Sequence, residues 1–91
     1  MADKTQHAAE RFPDLAEAIK QCASDNRFFH GLCEDYGEAI EMLRYLRQFN
    51  GTTAAARIAV WHELAMDLEE EILSELQVWN EGGHLPDEPE R

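Results

Sequence analysis

The sequence predicts an all-α protein: an antiparallel helical hairpin, its first arm open to a break near residues 24–26, assembling into an oligomeric helical bundle. Three observations point there. Between Phe28 and Phe49 the apolar residues Phe29, Leu32, Cys33, Tyr36, Ile40 and Leu43 recur three and four apart, which places them on one side of a helix. A second stripe of the same kind follows at Ile58, Trp61, Leu64, Ala65, Leu68, Ile72, Leu76 and Trp79. Asn50-Gly51 lies between the two, and glycine past a helix end is a stop signal.

Taken in order, residues 1–11 show no apolar periodicity beyond alanines and read as a flexible tail. Pro13 suits the first turn of a helix, and Asp14 beside it complements the helix dipole. The buried side of that helix is Phe12, Leu15, Ile19 and Cys22. Ser24-Asp25-Asn26 then allows two readings. Each of the three side chains can bond nearby backbone, which favours a break with Ser24 or Asp25 as a new N-cap. Yet the apolar phase runs through, since Leu15, Cys22, Phe29, Tyr36 and Leu43 are spaced by sevens, and that favours one long helix. Phe28, Ala39 and Leu46 widen the stripe on one flank. Gly31 and Gly37 weaken this helix but permit close approach of a neighbour. After the turn, Thr52 or Thr53 can cap a helix from about Ala54 to Asn80. The domain is thus residues 12–81, with a flexible acidic tail at 82–91.

Folding the two arms together about the turn sets Leu68 near Tyr36, Trp61 near Leu43 and Trp79 near Asp25. Glu75 falls level with Phe29 inside the stripe, and Arg27 and His30 are its nearest partners. The second arm reaches back only to about residue 24. Phe12, Leu15, Ile19 and Cys22 then lack cover, and each large apolar side chain left wet forfeits about 1.5–3 kcal/mol. Either the first segment folds back, or a second subunit covers it. The width of the first stripe also exceeds a two-helix seam, so a homodimer or higher homo-oligomer is expected.

The chain has 91 residues, 19 acidic against 8 basic side chains, and a net charge of −11. That balance opposes direct contact with nucleic acid or an anionic membrane and admits a basic protein partner. No apolar run approaches the roughly 20 residues that span a bilayer, and the start MADKTQHAAER lacks a hydrophobic signal core, so the expected location is the cytoplasm. Cys22 and Cys33 would lie about 16 Å apart along one helix, too far for a bridge, and read as small core residues.

Phe12-Pro13-Asp14, the run FHGLCEDYGEAIEML and the second-arm residues Leu68, Glu71, Ile72 and Leu76 resemble the pattern of the YdcH-like family, short bacterial proteins of unknown function. Members of that family carry F-P-E/D, then F-x-x-L-F-x-x-Y, then L-K-D-E-I-x-x-x-L. Phe29, Leu32, Cys33 and Tyr36 match the first core, and the match covers about residues 12–76. The chain departs at Glu69, where the family is basic, and at Ile40, where it is acidic. The resemblance implies a small helical hairpin and supplies no activity.

Motifs for chemistry are thin. His62-Glu63 opens like a zinc-protease helix, but the fifth position is Met66 instead of the second histidine. His30, Cys33 and Glu34 have a ligand-like spacing, which core packing of Cys33 explains better. Asn50-Gly51-Thr52 matches a glycosylation tripeptide that the turn already accounts for. Glu69, Glu70, Glu71 and Glu75 read as a solvated face or an acidic docking surface, and Tyr45 as an exposed aromatic that either serves a subunit or partner contact or is one of the single apolar residues ordinary on a surface. Trp61 and Trp79 read as core. No catalytic residue, cofactor or metal is expected. The expectation is a non-enzymatic, oligomeric protein–protein interaction module, its seam held by Phe12, Leu15, Ile19, Cys22, Phe29, Leu32, Cys33, Tyr36, Ile40, Leu43, Trp61, Leu68, Ile72, Leu76 and Trp79. The alternative is an acidic sequestering protein that binds a basic, nucleic-acid-binding partner.

Overall fold

The computed structural model describes residues 4–83. Four helices pack together, with no strand among the described residues: α1 (Gln6–Arg11), α2 (Ala16–Asp25), α3 (Arg27–Leu46) and α4 (Thr52–Val78). A 3₁₀ turn at Pro13–Leu15 leads into α2, and a π-helical turn at Trp79–Gly83 extends α4. None of these helices is long and apolar enough to cross a membrane.

The break in the first arm falls on Asn26, one or two residues beyond the Ser24 or Asp25 cap expected from sequence. Asn26 adopts an extended conformation (φ −130, ψ 109). Its backbone N–H still donates to the Cys22 carbonyl at 2.8 Å, closing α2. Its side-chain oxygen accepts from the Phe29 N–H at 3.1 Å, capping α3. One residue ends a helix and starts the next because a short amide can satisfy an orphan N–H while its own backbone stays non-helical.

That bend lays α2 along α3 and against α4. Of the two covers expected for this stripe, folding back of the first segment or a second subunit, the first is the one observed. Ile19 and Cys22 are fully buried, and Phe12 and Leu15 are half-buried against the same core. This segment therefore needs no second subunit to cover it.

Residues 1–11, expected as a flexible tail, contain α1 instead. Ala8 and Ala9 are buried, and α1 packs on α3. A Cβ at Gly37 would strike the carbonyl group of Lys4, so glycine there lets the start of this segment lie directly on α3. Gly31 has no such neighbour. Of the acidic tail expected at 82–91, Gly82 and Gly83 belong instead to the π-helical turn, and residues 84–91, like residues 1–3, lie outside the described residues.

Between α3 and α4 the chain turns over residues 47–51. Gly51 has φ +111, a conformation that side-chain-bearing residues rarely adopt. Gly51 itself is the N-cap of α4, and Thr52 and Thr53 are its first helical residues, not its caps. The turn brings Tyr36 of α3 to Glu69 of α4, close to the register reached by folding the sequence about this point.

The core combines Phe29, Leu32, Cys33, Tyr36, Ala39 and Leu43 with Ile19 and Cys22, Ala8, and Ala65, Leu68, Ile72 and Leu76. Ile40, Ile58, Trp61 and Trp79 pack at its edge. Two stripe residues are corrected. Phe28 and Leu64 are exposed, each lying about 100° around its helix from the inward-facing residue next to it.

Candidate functional site

Lys4, His7 and Arg11 are spaced three and four apart, and each meets a carboxylate of the body. Lys4 Nζ lies 3.6 Å from Glu38, and His7 Nε2 lies 3.3 Å from Glu41. Arg11 donates from Nε at 3.0 Å and from Nη2 at 3.4 Å to the two oxygens of Glu69. Tyr36 donates its hydroxyl to the same carboxylate at 2.7 Å. Glu69 thus ties α1, α3 and α4 at one point. Its side chain is only 14 % exposed, so the paired charge is shielded from water and its bonds are of the stronger, charge-assisted kind. Burial and the Glu69 carboxylate hold the Tyr36 hydroxyl in its neutral form well above the ordinary tyrosine range. The Arg11 guanidinium also lies 4.9 Å from the Phe12 ring. The geometry is that of a brace: the carboxylate is taken up by two donors, Arg11 and Tyr36.

In the sequence Glu69 stands out only as one of the acids Glu69, Glu70, Glu71 and Glu75 and as a departure from the family pattern, and Arg11 falls in the segment expected as a tail. The other acids point elsewhere. Asp67, Glu70, Glu71, Ser74 and Glu75 line a shallow hollow on α4. Glu75 is half-buried beside Cys22 instead of Arg27 or His30. His30 turns to Glu34, 3.8 Å away. The two cysteines are buried and not bridged. Burial first, then Asp25 and Glu75, pushes the Cys22 thiol up to about 11, which leaves it a poor nucleophile at neutral pH.

Among the described residues no group of three His, Cys, Asp or Glu side chains converges as a metal site would. Cys33 points into the core while His30 and Glu34 lie on the surface. His62 and Glu63 face outward. The residues expected to form the seam (Phe12, Leu15, Ile19, Cys22, Phe29, Leu32, Cys33, Tyr36, Ile40, Leu43, Trp61, Leu68, Ile72, Leu76 and Trp79) all go to the core or its edge within one chain.

The open apolar surface is elsewhere. On α4, Arg57, Val60, Leu64, Asp67, Glu71, Ser74 and Val78 are spaced alternately three and four apart, and all are exposed. Val60, Leu64 and Val78 are 66 %, 42 % and 54 % exposed. This spacing is that of a coiled-coil seam, here on the side of α4 turned away from α3. A second open area lies near the end of α3, where Tyr45 stands 54 % exposed with its ring held edge-on by Phe49 at 5.2 Å. A hollow of about 340 Å³ beside it is lined by Lys4, Glu38, Glu41, Met42, Tyr45 and Trp61.

Set against protein families, curated proteins and solved structures, the chain matches none.

Proposed function

We propose that the protein is a non-enzymatic helical interaction module that pairs with a second copy of itself through the outer face of α4. The observation that carries this reading is the exposed seven-residue stripe from Arg57 to Val78. Along it the charge changes sign. Residues 42–66 hold Arg44, Arg47 and Arg57 against Glu63, whereas residues 67–81 hold six acids and no lysine or arginine. An antiparallel partner matches the two ends. Arg57 then meets Glu81 of the partner, Val60 meets Val78, and Leu64 meets Ser74, each contact occurring twice about a two-fold axis. The central layer sets Asp67 against Glu71, a repulsion that limits affinity and fixes the pairing to the ends. The hairpin of α3 and α4, braced by Glu69, is the rigid unit that presents this face. The resemblance of residues 12–76 to the YdcH-like pattern fits such a unit, with the departure at Glu69 put to use as the brace.

Light scattering tests it. The native chain is expected at twice 10.4 kDa, and Val60→Glu with Leu64→Glu at 10.4 kDa with unchanged helix content. Asp67→Asn is expected to tighten the pair. Raised salt is also expected to tighten it, because two chains of net charge −11 repel less when screened.

The acidic hollow at Asp67, Glu70, Glu71, Ser74 and Glu75 favours a second reading, capture of a basic, nucleic-acid-binding protein. That reading has the opposite sign: binding to a basic partner weakens as salt rises. A pulldown across salt concentrations separates the two. A cytoplasmic location is part of the proposal, and that none of the described helices is long and apolar enough to cross a membrane is in keeping with it.

A further inference from the structure

We propose that the hollow between the start of the described chain, α3 and α4 is a binding site for an alkylammonium group. It is independent of whether α4 pairs with a second copy. The site is an open hollow built from one side of α3, where Glu38, Glu41, Met42 and Tyr45 follow one another at helical spacing, and bordered by Trp61 from α4. Two carboxylates exclude an anion. Two aromatic rings and a thioether disfavour a fully hydrated metal ion and suit a cation with an apolar skirt. The Tyr45 ring is fixed by its edge contact with Phe49, so it enters the site with little orientational freedom left to lose.

The molecule already places such a group there. Lys4 lines the hollow, and its ammonium lies 3.6 Å from Glu38. Its backbone is seated on Gly37, so the side chain is delivered to the lip by the fold. Glu41 is shared with His7 at 3.3 Å, which leaves Glu38 as the main counter-charge. Lys4 thus walls the hollow and competes with an incoming ammonium for Glu38. The hollow's volume of about 340 Å³ is at the small end of ligand pockets, enough for a butylammonium chain and too small for a large cofactor.

The experiment is a titration of the full chain with butylammonium chloride, followed by backbone and indole NMR shifts, against sodium chloride at equal ionic strength. Saturable shifts are expected at Glu38, Glu41, Tyr45 and the Trp61 indole. Tyr45→Ala, at an exposed position, is expected to weaken binding about threefold, the worth of one exposed cation–π contact. Glu38→Gln is expected to weaken it as well. Lys4→Ala is expected to tighten it about twofold by removing the competitor, an effect that a purely structural role for Lys4 does not produce. Shifts that rise linearly without saturation, or that sodium reproduces, overturn the proposal, as does a Tyr45→Ala chain that binds as the parent does. A lysine-containing peptide and a free diamine titrated the same way tell a protein source of the ammonium from a metabolite, the tighter of the two naming it.

Discussion

The end of the molecule far from the turn is built from four helices, whereas the turn end is built from two. At the thick end α1 and α2 lie over α3, and Phe29, Tyr36, Ile19 and Ile72 are fully buried. At the thin end Leu43, Leu46 and Ala54 are buried, while Tyr45, Phe49, Val60 and Leu64 stay open. The difference in charge runs the same way, since the basic residues of α4 and the turn cluster at the thin end and the acids at the thick one. The closed core is concentrated at the thick end, while the outer face of α4, exposed from Val60 to Val78, runs along both ends. The thick end can be crowded with apolar side chains because two extra helices close it. Towards the thin end the surface stays open, bordered on one side by Lys4.

Substitutions test this division. The largest effect is expected in the thick end, where Phe29→Ala removes a fully buried ring and costs about 3–5 kcal/mol in chemical denaturation. Val60→Ala at the thin end stays within about 0.5 kcal/mol for the single chain. Equal costs at the two positions would erase the contrast. Next comes alkaline pH. The folded Cys22 thiol holds its proton up to about 11, against an ordinary value of 9.0. The unfolded chain loses that proton first, so this contribution is intact below about pH 9 and lost as pH rises towards 11, about 2–3 kcal/mol in all. Denaturation across that range, parent against Cys22→Ala, is expected to show the extra slope only in the parent. Glu69→Gln, at the brace, is expected to cost about 1–3 kcal/mol and to raise hydrogen exchange in α1 before the rest. The smallest effect belongs to the exposed Lys4–Glu38 pair, where Lys4→Ala changes stability by less than about 1 kcal/mol.

Much of this was readable in the sequence because apolar spacing survives folding. The α3 stripe, the register that brings Tyr36 beside Leu68 and Glu69, and the turn at Gly51 all follow from local pattern. The break at 24–26 was visible, but its position was not, since Ser24, Asp25 and Asn26 cap comparably well and only tertiary packing chooses Asn26. α1 was missed because alanine carries almost no hydrophobic signal, and Ala8 and Ala9 are buried by closeness, not by size. The brace was missed for a different reason. Nothing local distinguishes Glu69 from Glu70 or Glu71, and its partners Arg11 and Tyr36 are 58 and 33 residues away. The outer stripe of α4 was partly hidden as well, because Leu64 fits the inner periodicity almost as well as the outer one.

Self-pairing turns on the outer face of α4, and sedimentation equilibrium at two salt concentrations tests it most directly. The expected result is a two-chain particle that tightens with salt and falls to 10.4 kDa when Val60 and Leu64 both become glutamate. A native chain that stays at 10.4 kDa in both salts, or a double variant that stays paired, would contradict it.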